Sequence, residues 1–353
     1  MYMNNTVMIA MSGGVDSAVA AYLVSRDTTA AGVTMQLAPA DSAQGKALAC
    51  DIEDAARLCR QLTIPHFVAD LTAEFRQHVI EPFVGAYEAG ITPNPCVLCN
   101  KSIKFGALLR YANDMGYGKL ATGHYAQIEK DQNGRLLLRR AADPTKDQSY
   151  MLYTLSQDVL SRVLFPLGDL TKVQVREIAR ENSFSAVQKK ESQDICFVPD
   201  GDYGAFIERN VGHPLSQGDF LSLDGSTVLG KHRGIVHYTV GQRKGLGISL
   251  GKPMFVISKS PAENTVTLGD NSDLFTTRLT VRDISLIPFD RLDAPLTLLA
   301  KARYRQDAAP ARVEQTGEAE LTVEFNTPQR AISPGQSLVL YDGDYVVGGG
   351  IIQ

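Results

Sequence analysis

The chain has 353 residues, a formal net charge of −4, and a composition 44% hydrophobic and 21% charged. These values argue against a fibrous or disordered protein and against a strongly basic nucleic-acid binder, so any RNA site must be a local patch. The length suggests two or three domains. No apolar run approaches the ~20 residues that cross a bilayer, and the short apolar start from Thr6 to Met11 lacks a basic region and a cleavage site, so a cytoplasmic protein without a membrane segment is expected.

In chain order, Val7–Met11 reads as a buried strand and Asp16–Val24 as a helix. A strand at Ala30–Met35 and a helix over Asp51–Leu62 follow, the latter with Ile52, Ala55, Ala56, Cys59 and Leu62 at helical spacing. A third strand at His66–Val68 leads into a long helix that stops before Gly90. The stretch Ile91–Asn100 reads as a Pro-punctuated loop, and Ile103–Met115 as a helix ending at Gly116. Lys119–Thr122 is a fourth strand. This alternation predicts an α/β architecture on a parallel sheet. Past about residue 200 a mixed, Gly-rich segment runs to about 275, and from Leu279 onward short alternating strands with turn signals such as Asp342-Gly343 predict a small β-barrel.

The strongest local motif is Ser12-Gly13-Gly14-Val15-Asp16-Ser17, set between an apolar strand and a helix. Glycines allow a tight turn, and the free N–H groups and dipole of a helix start attract an anion, so the motif suits a phosphate. The Lys of a Walker A loop is missing, which makes this a different cradle from the usual β/γ-phosphate site. A plain Ser/Asp-capped helix after a glycine turn is the simpler reading of the same residues.

Five cysteines, at 50, 59, 96, 99 and 196, do not suit a secreted disulfide framework. Cys50 and Cys59 read as small buried hydrophobes. Cys96 and Cys99 fall in a loop held open by Pro93 and Pro95 just before a helix, where the helix start together with Lys101 and Lys104 would favour thiolate. Two close thiols and the distant Cys196 suit either a sulfur relay or a three-thiolate metal site. Basic patches that could face RNA occur at Lys101 and Lys104, Lys189 and Lys190, Lys231–Arg233, Arg243 and Lys244, and Lys301–Arg305.

Several stretches, in order, are specific: SGGVDS at 12–17, TPNPCVLCNKSIKF ending at Phe105, ATGHYA at 121–126, KDQSYMLYTL at 146–155, LFPLG at 164–168, ICF at 195–197, YTVGQRKGLGI at 238–248 and ARYRQ at 302–306. With them the chain resembles the tRNA-specific 2-thiouridylases, a PP-loop ATP pyrophosphatase family, nearly end to end. The resemblance implies a PP-loop catalytic domain over 1–200, a central tRNA-binding linker domain over 201–275 and a C-terminal β-barrel domain over 276–353. It further implies a tRNA-uridine 2-sulfurtransferase that uses ATP with Mg to adenylate the 2-oxygen of the wobble uridine.

On that resemblance, Ala10, Met11, Ser12, Gly13, Gly14, Val15, Asp16 and Ser17, with Met35 and Gly123, would hold ATP. Cys99 takes the nucleophile position and Cys196 the persulfide position, so a Cys99–Cys196 disulfide would form in turnover. Asn94, Pro95 and Cys96 would meet the target base. His124, Lys146, Asp147, Gln148, Arg303, Tyr304 and Gln336 would touch tRNA. A sulfur donor, such as a cysteine desulfurase or a sulfur-relay protein, is the implied partner. Without the surrounding motifs, His124 reads as a core histidine, Lys146-Asp147-Gln148 as a helix cap and Arg303-Tyr304-Arg305 as an exposed strand face.

The chain departs from the family in carrying Cys96 where many relatives have Asp, which creates a CxxC plus one distant Cys. That set resembles RNA thiolases with an iron–sulfur cluster on three thiolates, here Cys96, Cys99 and Cys196. It also lacks the usual Asn-Trp after Met35. A cytidine thiolase or a small-molecule ligase on the same loop is the remaining alternative.

Overall fold

A computed structural model describes residues 6–188, 195–198, 200–249 and 251–353. The first part contains β1 (Thr6–Ala10), β2 (Thr29–Gln36), β3 (His66–Asp70), β4 (Lys119–Ala121), the hairpin β5 (Ala126–Lys130) and β6 (Leu136–Arg140), and β7 (Val163–Leu164). Five of these make a parallel sheet in the order β3-β2-β1-β4-β7. The central strand β1 pairs on both sides, Val7 with Ala30 of β2 and with Lys119 of β4, which is why Val7, Met8 and Ile9 form an unbroken buried run. Helices Val15–Ser25, Ala43–Gln61 and Lys172–Glu181 flank this sheet.

The middle part holds β8 (Gly218–Leu221), β9 (Val228–His232), β10 (Phe255–Ser260) and β11 (Thr265–Gly269), in the order β10-β11-β8-β9. The last part holds β12 (Phe275–Leu286), β13 (Leu296–Lys301), β14 (Ala309–Gly317), β15 (Glu320–Arg330), β16 (Ser337–Asp342) and β17 (Tyr345–Ile352). Antiparallel pairing runs β12-β15-β14-β13-β16-β17, and β17 closes back on β12, so these six strands form a closed barrel with no free edge. Leu298 and Ala300, Ala311 and Val313, Leu321, Val323 and Phe325, and Leu338 and Leu340 fill it, at every second position of their strands. The Asp342-Gly343 turn joins β16 to β17, with Gly343 at φ +56°.

Three local differences from the sequence reading matter. The helix expected from Asp51 begins at Ala43, because the Ser42 side chain accepts from the Gly45 N–H and caps it early. The stretch expected as a loop to Asn100 is helical from Pro95: Pro95–Leu98, a π-helical Cys99–Ala107 and Leu108–Asp114 run on without a break. The hairpin β5–β6, unexpected in a strand–helix alternation, extends the barrel's sheet instead, through Tyr345 of β17 opposite Arg139. Tyr345 Oη donates to Glu129 and Arg139 pairs with the same carboxylate, which fastens that seam. Tyr150, Tyr153, Val339, Tyr341 and Val346 bury together across it, so the first part and the barrel share core.

Candidate functional site

The phosphate loop leaves β1 at Ala10, with the half-buried Met35 on the neighbouring β2, and Met11 donates to Val33 O at 2.8 Å. Gly13 turns the chain at φ +69°, a value that favours glycine. Ser17 Oγ accepts from the Ser12 N–H at 3.2 Å and donates to Gly14 O at 2.9 Å, closing the loop on itself. The first i→i−4 bond runs from Ala18 to Gly14, so the N–H groups of Val15, Asp16 and Ser17 precede it at the positive end of the helix. From the connection between β4 and β5, Gly123 presses on this turn. A Cβ there would lie 3.0 Å from Asp16 C and Ser17 N. Free N–H groups, a glycine bend and a wall without side chains fit the phosphates of a nucleotide.

Two residues of this site were missed in the sequence. Lys172 Nζ meets the Asp16 carboxylate at 2.7 Å and Tyr125 Oη donates to it at 2.7 Å, while the Lys172 ammonium lies 5.8 Å from the Tyr125 ring centre. Lys172 is buried and opens a helix whose Thr171 and Gln174 form a capping box. That box was a readable helix start. Nothing local, however, says that the first residue behind it reaches Asp16.

The cysteine segment is positioned by its cap. Asn94 Oδ1 accepts from the N–H groups of Cys96 and Val97 at 3.2 and 3.4 Å, and Pro95 takes the first helical place, where its missing N–H costs nothing. The Asn94-Pro95 pair was the signal that this was a helix start rather than an open loop. The helix places Cys96 and Cys99 where they interact electrostatically with Cys196, nearly a hundred positions on, and with the ammonium of Lys104. Lys101 is exposed.

The protonation state runs against expectation. Burial pushes the Cys99 thiol up to about 12 and raises Cys96 and Cys196 as well, and the opposing pull of Lys104 does not overcome it. Cys96 and Cys196 each keep surface open to solvent and Cys99 is half-buried, so reagents can reach the cluster although its resting form is the thiol. Cys59 is buried as expected, but Cys50 is exposed on its helix, which corrects the reading of it as a buried hydrophobe.

The residues expected to meet RNA divide by their partners. Gln148 Oε1 accepts from Tyr125 N, and Asp147 accepts from Ala141 N, Ser149 N and Ser149 Oγ, so both side chains hold a turn, while Lys146 N donates to Asp143 O. Arg303 donates to Val240 O, Ala331 O and Ser333 Oγ, tying the middle part to the barrel. Tyr304 Oη donates to Asp147 O, its ring packs 5.7 Å from Tyr150, and Lys301 lies over both rings. Gln336 donates to Thr92 O at 2.8 Å and to Pro93 O at 3.3 Å, so a barrel residue holds the approach to the cysteine helix. His124 is buried between Phe105 and Phe165. Lys189, Lys190 and Glu191–Asp194 lie outside the described residues.

Among the described residues, no group of three or more His, Cys, Asp or Glu side chains is arranged to hold a metal ion. No described helix is long and apolar enough to cross a membrane.

Comparison with known proteins extends over the whole chain. Residues 5–200 match the family described as tRNA methyl transferase HUP domain, 204–270 the tRNA methyl transferase PRC-barrel domain and 276–352 the aminomethyltransferase beta-barrel domain. The chain is 46% identical to the tRNA-specific 2-thiouridylase MnmA of Clostridioides difficile, over 100% of this chain and 99% of that protein. It is 45% identical to the protein of the same name from Acetivibrio thermocellus, over 98% of this chain and 99% of that one. Among solved structures, the U34-tRNA thiolase NcsA of Methanococcus maripaludis, with its 4Fe-4S cluster, aligns at 17% identity and a TM-score of 0.36, over 59% of this chain and 67% of that one.

Proposed function

Because the chain belongs to the tRNA-specific 2-thiouridylase family, we propose that it replaces the 2-oxygen of the wobble uridine of tRNA with sulfur at the expense of ATP. The observation that carries this reading is the four-residue segment Thr122–Tyr125. Gly123 packs on the phosphate loop, Tyr125 holds Asp16, and His124 between them faces Lys104, whose charge pulls on all three thiols. One short connection, between β4 and β5, thus joins the nucleotide cradle to the sulfur chemistry.

The uracil 2-oxygen is a poor leaving group. In the proposed sequence it attacks the α-phosphorus of ATP, pyrophosphate leaves, and the resulting adenylate carries AMP as a good leaving group. Loop residues 10–17, with Met35 and Gly123, hold the nucleotide. Mg would accompany the phosphates and neutralise their charge. A donor such as a cysteine desulfurase or a sulfur-relay protein loads Cys196 as a persulfide. Its terminal sulfur attacks C2 and AMP departs. Cys99, as thiolate, then attacks the Cys196 sulfur, the S–S bond to the base breaks, and 2-thiouridine leaves with a Cys99–Cys196 disulfide behind. A thiol reductant returns the two electrons, which suits the cytoplasm.

The base must leave its stack to be reached, and in this reading Asn94, Pro95 and Cys96 receive it. On the family resemblance Cys96 takes the place of an acid, and in this reading proton handling falls to other groups. Domains at 1–200, 201–275 and 276–353 divide the labour, the last two gripping tRNA through local basic and aromatic surface such as Lys301 and Tyr304. Nucleoside mass analysis of tRNA incubated with protein, ATP and a sulfur source should show 2-thiouridine. A thiolated cytidine, or no thiolated base with a persulfide-loaded enzyme, would sink the assignment.

A further inference from the structure

His124 and Lys104 face one another: Lys104 Nζ lies 3.4 Å from His124 Nε2, and His124 Nδ1 lies 2.7 Å from Thr122 Oγ1. An ammonium donates and cannot accept, so Nε2 must present its lone pair to Lys104. The ring proton is then on Nδ1, donated to the Thr122 hydroxyl. Burial, with Lys104 adding to it, holds His124 well below the usual histidine range and keeps the ring in this neutral form. Phe105 and Phe165, with centroids 5.7 and 6.0 Å away, clamp the ring and leave 8% of the residue exposed, too little to meet an RNA phosphate in this state.

Lys104 is brought to the thiols by the helix that carries it. From Cys99 to Ala107 the winding is π-helical, and Leu108 N–H bonds to Ile103 O, five residues back. Bonds from i to i+5 wind the chain more loosely than an α-helix, so position 104 returns towards the face of position 99. The groups whose charges act on one another here are Cys96, Cys99 and Lys104 on this helix and Cys196 and Tyr304 from elsewhere in the chain, with His124, from the connection after β4, against Lys104.

We propose that His124 is a positioning residue that holds Lys104 towards the cysteine cluster, and that Lys104 supplies the positive charge that steadies anionic sulfur at Cys99. The sulfur-transfer part of this inference rests on the reaction proposed above. The pairing of histidine and lysine does not.

The test compares His124→Phe and Lys104→Met with the conservative His124→Gln and Lys104→Arg, in the full chain. Iodoacetamide labelling at pH 8, followed on the Cys99 peptide by mass spectrometry, reads the sulfur directly. Removing the acceptor or the cation should slow labelling by about three- to tenfold, and the conservative pair should stay within about twofold of the parent. Binding of tRNA should be unchanged in His124→Phe. Unaltered labelling in Lys104→Met overturns the proposal. So does weakened tRNA binding in His124→Phe with labelling intact, which would return His124 to RNA contact. Lys104 is only partly buried, so its variants keep the comparison decisive if His124→Phe fails to fold. A parent protein that makes no 2-thiouridine would strike the proposed reaction and leave this comparison standing.

Discussion

Lys172 and Asp16 lie 156 positions apart and meet in an ion pair at 2.7 and 2.8 Å, with Lys172 almost enclosed and a third of the Asp16 side chain open to water. The pair fixes the start of the helix that follows the phosphate loop, and Tyr125 completes its hold on the carboxylate.

Among the described residues, Lys172→Met leaves that carboxylate with Tyr125 alone. Because Asp16 keeps access to water, the loss should be about 1–3 kcal/mol, below that of a fully buried pair. Urea unfolding measures it, and Lys172→Met combined with Asp16→Asn should recover part of the loss.

Gly123→Ala places a methyl 3.0 Å from the backbone of Asp16 and Ser17, closer than backbone tolerates without shifting. The loop should move and the KM for ATP should rise by about tenfold, since a misplacement of about 1 Å can cost roughly 100-fold in a positioned site. ATP consumption in the presence of tRNA reads it. An unchanged KM would mean that the loop has room to adjust.

Gln336→Ala removes both bonds from the barrel to the Thr92 and Pro93 carbonyls. Without tRNA, amide exchange across 91–97 should accelerate, and stability should fall by about 1–2 kcal/mol. If Gln336 served RNA alone, exchange in the free protein would not change.

The Cys99 thiol is held neutral by burial, with its folded value near 12 against an ordinary 9.0. A raised value means that its stability contribution is whole below about pH 9.0 and is lost as pH climbs towards 12. The parent should therefore lose stability with pH across that window more steeply than Cys99→Ala, in parallel urea titrations. Labelling of Cys99 should likewise keep rising above pH 9.0.

Much of this protein is legible locally. The strand before Ser12-Gly13-Gly14, the helix after it, the Asp342-Gly343 turn and the period-two barrel strands follow from short-range sterics and from the alternation of apolar side chains, which need only near neighbours. The residues Asn94-Pro95 and Ser42 carried cap signals of the same local kind, and reading them would have placed both helix starts correctly. What the chain could not disclose depends on partners far along it. The meeting of Asp16 with Lys172, of His124 with Lys104, of Arg139 with Tyr345 and of Gln336 with Thr92 needs the packed sheet and the closed barrel to exist first. The state of the thiols was decided there as well. A helix start and a nearby lysine argue for thiolate, but how much protein surrounds a sulfur is a property of the whole fold, and at Cys99 that burial outweighs both.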